Sequence, residues 1–129
     1  MQRQRLEESA SRIATSSLGI DTRPEQLKAF CDRHHIAHGF ASFADALAWG
    51  EFDAVTNVTP DAAHYPTTLP ILAAGKHILC EKPLALTTGD ALAMVRACEK
   101  AGVVMATNHH LRNAATHRKM RELIMALMA

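Results

Sequence analysis

The sequence has few of the residues that indicate disulfides, metal-thiolate sites or secretion. Its three cysteines are Cys31, Cys80 and Cys98, and no two of them form a CxxC spacing. An odd number of unpaired cysteines argues against structural disulfides and a thiolate metal site, and it favours a reducing cytoplasm. The N-terminal stretch MQRQRLEESA lacks the apolar segment of a secretory signal.

Excess charge and long apolar runs are also missing. The formal net charge is +1, so electrostatics give no reason to expect binding to nucleic acid or to an anionic membrane. No apolar run approaches the roughly 20 residues that span a bilayer. Hydrophobic residues form 48% and charged residues 21% of the 129 positions, which predicts a globular domain with a real core.

Two periodicities alternate along the chain. Short apolar or β-branched segments predict five strands, at 12–21, 36–40, 53–60, 76–83 and 103–108. Segments with helical spacing predict five helices, at 23–35, 42–50, 61–75, 86–102 and 114–128. Because strands and helices alternate with short connections, we expect an α/β fold with a parallel sheet covered on both faces.

Residues typical of helix ends support these boundaries. Ser42 is a predicted N-cap and Gly50 follows the end of the same helix. Thr87 with Asp90 resembles a capping box, and Gly102 is a predicted C-cap. The helix at 61–75 contains two prolines, so we expect it to be kinked or to begin late.

Polar residues stand where the predicted strands end. In open parallel sheets, ligands bind outside the carboxyl ends of the strands, so this placement predicts a ligand crevice. The residues concerned are Asp21 after the first strand, Thr59 and Pro60 after the third, Glu81 and Lys82 after the fourth, and Asn108 after the fifth.

Residue type suggests a role for several of them. A carboxylate in the position of Asp21 can accept hydrogen bonds from ribose hydroxyls, or it can cap the next helix. Lys82, expected to be half-buried at its strand tip, can donate a proton to a carbonyl oxygen as hydride arrives, or it can simply cap the strand. Pro83 would fix the backbone beside it. Glu81 can orient Lys82 or lie solvated at the rim, and His64 can contact a ligand or serve as an ordinary first-turn helix residue.

A metal site is not expected. His109, His110 and His117 are close in sequence, and His110 and His117 could share a helix face. No cysteine or carboxylate joins them at a ligand spacing, and a strand-helix junction separates them.

One ordered motif carries a family resemblance. The segment 53–112 contains the pattern TP…H…AGKHILCEKPLA. Over about residues 13–124 the chain resembles the N-terminal cofactor-binding domain of the Gfo/Idh/MocA oxidoreductases, the glucose-fructose oxidoreductase type. The continuation NHHLRNAATHRKMREL is similar to that of the 1,5-anhydro-D-fructose reductases within this family.

The resemblance implies a doubly wound, Rossmann-like sheet that binds NAD or NADP, and hydride transfer on the carbonyl or alcohol of a sugar or polyol. It implies that Lys82 is catalytic and contacts both the nicotinamide and the substrate. It places Asp21 at the ribose. The other residues that it implies along the cofactor are Thr59, Pro60, His64, Glu81, Lys82 and Asn108.

The sequence departs from this family at both ends. It contains no GxGxxG-type loop to hold a pyrophosphate, and segment 2–10 resembles the remainder of the helix that would follow such a loop. We therefore expect an incomplete sheet without its first, central strand and weakened cofactor binding. The expected organisation is a partial domain over 1–124 and a tail over 125–129, with the C-terminal substrate domain absent.

Three interpretations of function follow. The chain is an oxidoreductase cofactor domain that lacks turnover on its own, a non-catalytic module that associates through exposed sheet edges and its last helix, or a gene remnant. For the first, Asp21 favours NAD because a carboxylate repels a 2′-phosphate, whereas Arg23 could accommodate that phosphate.

Overall fold

A computed structural model describes residues 18–128. The expected helix remainder at 2–10 and the first part of the predicted strand, 12–17, lie outside the described residues. The chain divides into two compact units, one ending at Gly50 and the other beginning at Glu51. No helix among residues 18–128 combines the length and the apolar character that a membrane crossing requires.

The first unit is a pair of parallel strands with two helices. Its strands are hydrogen-bonded with Leu18 opposite His38 and Ile20 opposite Phe40. The elements are β1 (Leu18–Ile20), α1 (Pro24–His34), β2 (His38–Phe40) and α2 (Phe43–Trp49).

Glycines let α1 lie close to both strands. A Cβ atom added at Gly19 would lie 3.2 Å from the Cys31 sulfur, and one at Gly39 would lie 3.3 Å from Cγ of Leu27. Leu27 is buried at this contact. The small residues of β1 and β2 therefore form the surface on which the apolar face of α1 packs.

The second unit is a three-stranded parallel sheet with helices. The strand order is β3-β4-β5, so the last three strands in the sequence are neighbours in the sheet. The elements are β3 (Ala54–Asn57), α3 (His64–Ala73), β4 (His77–Glu81), α4 (Thr88–Ala101), β5 (Met105–Asn108) and α5 (Ala115–Leu127), with 3₁₀ turns at Asp61–Ala63 and His110–Asn113.

The core of the second unit lies where α3, β4 and α4 meet. Helix α3 contributes Ile71 and Leu72, β4 contributes Ile78 and Cys80, and α4 contributes Met94. All but Ile78 are fully shielded from solvent. Helices α3 and α4 pack against each other and α3 also packs on β4, so this contact joins the two helices to the sheet.

The predicted helix ends are confirmed. The Ser42 hydroxyl accepts hydrogen bonds from two backbone N–H groups of α2, and Thr87 accepts one from the Asp90 N–H at 3.1 Å. Gly50 and Gly102 adopt the left-handed conformation that ends a helix.

The helix with two prolines begins late, as expected. A 3₁₀ turn over Asp61–Ala63 precedes it, α3 starts at His64, and the helix continues through Pro70. This late start places His64 in the first turn, directly after the loop that follows β3.

The predicted fold class is confirmed. The chain is an α/β protein, and both of its sheets are parallel. The orders β1-β2 and β3-β4-β5 are those of successive strands in a doubly wound sheet.

Candidate functional site

Strands β4 and β5 end side by side with two polar residues. Glu81 and Asn108 are register partners at the last position of each strand. The Asn108 side-chain amide donates a hydrogen bond of 2.6 Å to Oε1 of Glu81. Because the carboxyl ends of parallel strands share one edge, the structure brings these two predicted site residues together.

Hydrogen bonds keep the Glu81 carboxyl group ionised. The amide of Asn108 is the main cause that lowers the pKa of Glu81, and the backbone N–H of Lys82, 3.3 Å from Oε2, adds to it. Burial opposes this shift, and the positive charges of His110 and Lys82 support it. A fixed negative charge therefore lies at the edge of the sheet, next to the lysine.

Lys82 is exposed, whereas the sequence predicted a half-buried side chain. Within residues 18–128, no hydrogen bond or ion pair joins its ammonium group to another side chain. The strand ends at Glu81, and Lys82 already belongs to the loop, which explains the greater exposure. The ammonium group is therefore exposed at this edge of the sheet.

His64 connects the two loops that flank this edge. Its Nδ1 lies 2.7 Å from the carbonyl oxygen of Pro83, and its Nε2 lies 2.8 Å from the carbonyl oxygen of Thr59. The side chain is fully buried. The ring is therefore held between the loop after β3 and the loop after β4.

Thr59 and Pro60 form the turn between β3 and α3. Both the backbone N–H and the hydroxyl of Thr59 donate to the side-chain oxygen of Asn57, at 3.2 and 2.8 Å. Pro60 is exposed, and its carbonyl oxygen accepts the N–H of Ala63 at 2.7 Å. Both residues lie in the same unit as Glu81 and Asn108, after the neighbouring strand.

Sequence reasoning missed Asn57, the last residue of β3, which binds the turn that follows. Asn57 is 3% exposed, and its amide nitrogen donates to the hydroxyls of Thr67 and Thr68 at 2.8 and 3.2 Å. The sequence contained a signal for this residue. Strand alternation places Asn57 on the same face as Val55, and an amide buried on that face requires hydrogen-bond partners. The adjacent threonines of the next helix supply them.

Cys80 is part of the core and not of the site. Burial raises the pKa of its thiol, which a hydrogen bond with Thr68 partly opposes. Since the thiolate is the nucleophilic form, this cysteine is chemically inert at neutral pH.

Asp21 lies in the first unit, immediately after β1. Its carboxylate accepts three hydrogen bonds from Arg23: from the backbone N–H at 2.9 Å, from Nε at 2.9 Å and from Nη2 at 2.8 Å. These bonds, with the side chain of Arg23 as the largest cause, lower the pKa of Asp21 to about 2. That Asp21 takes part in the same site as the other predicted residues stays a prediction.

We expect the substitution Arg23→Gln to raise the pKa of Asp21 from about 2 towards its ordinary value of 3.8. The guanidinium bonds are lost while the backbone N–H remains, so the return is incomplete. In the unaltered chain, the Asp21–Arg23 pair stabilises the fold above about pH 4 and loses this effect as the pH falls towards 2. Carboxyl ¹³C NMR titration measures the shift.

The matched control for this titration is Lys28→Gln, which removes a cation of the same unit that pairs with Asp32 at 2.6 Å. It should leave the pKa of Asp21 unchanged. An equal shift in both variants would mean that net charge, and not the bidentate contact, sets the pKa.

No group of three His, Cys, Asp or Glu side chains in the described part of the chain is arranged to hold a metal ion.

Comparison with known proteins identifies the type of domain. Residues 4–109 match an oxidoreductase family with an NAD-binding Rossmann fold. The 1,5-anhydro-D-fructose reductase of Ensifer adhaerens is 45% identical over 105 residues, which are 81% of this chain and 32% of that protein. The D-glucoside 3-dehydrogenase of Escherichia coli K12 is 33% identical over 104 residues, which are 81% of this chain and 30% of that protein.

A solved structure shares the fold. The WlbA dehydrogenase from Bordetella pertussis, crystallised with NADH and UDP-GlcNAcA, superposes with a TM-score of 0.79 and 33% identity. The match covers 84% of this chain and 33% of that one. The chain thus spans about a third of the length of the curated relatives above.

Proposed function

The chain belongs to the Gfo/Idh/MocA family of oxidoreductases, with its NAD-binding Rossmann fold, and from this membership we propose that it binds a nicotinamide dinucleotide at the edge formed by β3, β4 and β5. The observation that carries the proposal is the Asn108–Glu81 hydrogen bond at paired strand ends. It orders two polar side chains where a parallel sheet binds its ligands.

Lys82 is the proposed catalytic residue. Its side chain is exposed and directly follows Glu81, whose pKa is lowered by the amide of Asn108. When bound, the nicotinamide supplies or accepts hydride. Lys82 donates a proton to the oxygen of the carbonyl being reduced, and in the reverse direction its amine accepts the hydroxyl proton of the alcohol being oxidised.

The groups around Lys82 fit the nicotinamide end of such a cofactor. Asn108 and Glu81 present an amide and a carboxylate, and Thr59 and Pro60 form the neighbouring turn. The proposed substrate is a sugar or polyol, because the relatives above act on an anhydrosugar and a glucoside. Since the sequence contains no GxGxxG loop, we expect weak binding and no turnover by these 129 residues alone.

We further propose NAD over NADP. Arg23 is already bonded twice through its side chain to Asp21, so its guanidinium is less available to a 2′-phosphate. The carboxylate is held ionised, and it can accept hydrogen bonds from ribose hydroxyls while it repels a phosphate.

Titration of the chain with NADH and with NADPH, followed by amide NMR, tests both statements. We expect shifts at Glu81, Lys82 and Asn108, and tighter binding of NADH. Asp21→Ser removes the repelling charge and frees Arg23, so the preference for NADH should fall on the order of 10-fold.

The control variant is Asp32→Asn, which removes another ion-paired aspartate of the first unit and should leave the preference unchanged. Binding without shifts at Lys82 and Asn108 would contradict the proposed site. An unchanged preference in Asp21→Ser would contradict the proposed ribose contact alone.

A specific observation favours a second candidate function, self-association. Four large apolar residues of α5 share one helix face at spacings of three and four, and each is more than half exposed. They are Met120, Leu123, Ile124 and Leu127. Light scattering during the same titration separates the candidates, since assembly without dinucleotide binding would favour the second.

A further inference from the structure

A chain of partly buried polar contacts runs from the end of β3 to the residue after Lys82. Asn57 accepts both donors of Thr59, and the carbonyl oxygen of Thr59 lies 2.8 Å from Nε2 of His64. The other ring nitrogen of His64 lies 2.7 Å from the carbonyl oxygen of Pro83. Pro83 is bonded covalently to Lys82, so these contacts connect the end of β3 to the backbone next to the lysine.

Both contacts of the His64 ring are with oxygens that only accept hydrogen bonds. A ring nitrogen donates to a carbonyl oxygen only when it carries a proton, and a neutral ring has one N–H, which can point either at Pro83 or at Thr59. The Nδ1 contact is the shorter of the two, which favours the tautomer whose N–H points at Pro83. The ring is fully buried, and no water can replace this donor. A ring enclosed in this way does not reach a bound molecule directly.

Within residues 18–128, few other hydrogen bonds hold the loop that contains Lys82. The N–H of Lys82 donates to Glu81 at 3.3 Å, a long bond to the neighbouring side chain, and Lys82 itself is exposed. The contact from His64 to Pro83 is shorter, and the His64 side chain that makes it is fully buried. It therefore supplies the stronger link between this loop and the rest of the unit.

We propose that His64 is a positioning residue, which fixes the backbone of Lys82 by donating from Nδ1 to the carbonyl oxygen of Pro83. This inference rests on the proposed role of Lys82 and deepens it. It assigns to His64 an action through the loop, in place of the direct cofactor contact that the sequence suggested. In this proposal Asn57 and Thr59 hold the Nε2 side of the His64 ring.

Two substitutions separate the two ring nitrogens. In His64→Asn the amide nitrogen takes the place of Nδ1 and can still donate to Pro83, whereas in His64→Gln it takes the place of Nε2 and can still donate to Thr59. Each variant can donate at one of the two ring positions and not at the other. His64→Phe loses both and retains the flat ring.

The measurement is the ¹⁵N relaxation order parameter of the Lys82 N–H in the chain without ligand. We expect about 0.85 in the unaltered chain and in His64→Asn, and below about 0.6 in His64→Gln and His64→Phe. Urea unfolding is also recorded for each variant. If His64 were merely structural, the substitutions would change the stability, but the order parameter of Lys82 would be the same in His64→Asn and His64→Gln. Equal order parameters in these two folded variants would overturn the proposal.

A second measurement keeps the proposal testable if the variants do not fold. The ring ¹⁵N shifts of His64 in the unaltered chain should show a protonated Nδ1, and an unprotonated Nδ1 would overturn the proposal. Neither measurement uses a dinucleotide. Failure of NADH to bind would contradict the proposed function, and the order parameters would still decide the role of His64.

Discussion

Replacing Asn57 by aspartate should destabilise the chain by about 3 kcal/mol at pH 7, because it buries a negative charge and turns the donating amide nitrogen into a second acceptor. Asn57 is 3% exposed, and its amide donates to Thr67 and Thr68. The Thr67 hydroxyl already donates to the carbonyl oxygen of Ala63 at 2.6 Å. It therefore presents a lone pair, and not a proton, to the new carboxylate.

The loss should depend on pH in a defined direction. Burial disfavours the charged form, so the new aspartate should have a folded-state pKa above its unfolded value of about 3.9. The destabilisation relative to the unaltered chain is then greatest above the raised pKa and shrinks as the pH falls towards about 4. Urea unfolding of both chains at several pH values measures it.

Asn57→Leu is the uncharged control. It removes the bonds to Thr67 and Thr68, and also those accepted from Thr59, without introducing a charge. Its cost should be nearly constant between pH 4 and pH 7. If the loss of stability in the aspartate variant were also constant with pH, the position would be more hydrated than its exposure indicates. Asn57 would then not be a buried residue at the end of β3.

The elements and the edge of the sheet could be predicted from the sequence because they depend on local patterns. Ser42 and Thr87 cap the helices that follow them, and Glu81 and Asn108 close the strands that precede them. Capping, strand alternation and the parallel arrangement are short-range or topological rules, so the sequence shows them directly.

The contacts that hold the site could not be predicted in the same way. The Asn108–Glu81 bond joins residues 27 positions apart, and the His64–Pro83 contact joins residues 19 positions apart. The pairs of atoms that come into contact are set by strand register and by the exact residue at which α3 begins, and neither follows from residue type. For the same reason the prediction that Lys82 is half-buried at a strand tip was wrong, because the strand ends one residue before it.

Met94→Ala should cost about 2–5 kcal/mol of stability, because it leaves a cavity at the contact between α3 and α4. Met94 is fully buried on α4, and Ile71 and Leu72 of α3 are equally inaccessible to solvent. These residues belong to the core that supports β4, so the cavity weakens the support of the strand that ends at Glu81. Urea unfolding measures the loss as a lower midpoint with an unchanged slope.

Leu92→Ala is the matched control on the same helix, where the side chain is 48% exposed. Both substitutions place alanine in α4, so helix propensity favours both variants slightly and does not explain a difference between them. The control should cost less than about 1 kcal/mol. Equal losses in the two variants would show that Met94 is not packed as described, and the buried contact between α3 and α4 would then not be what stabilises this unit.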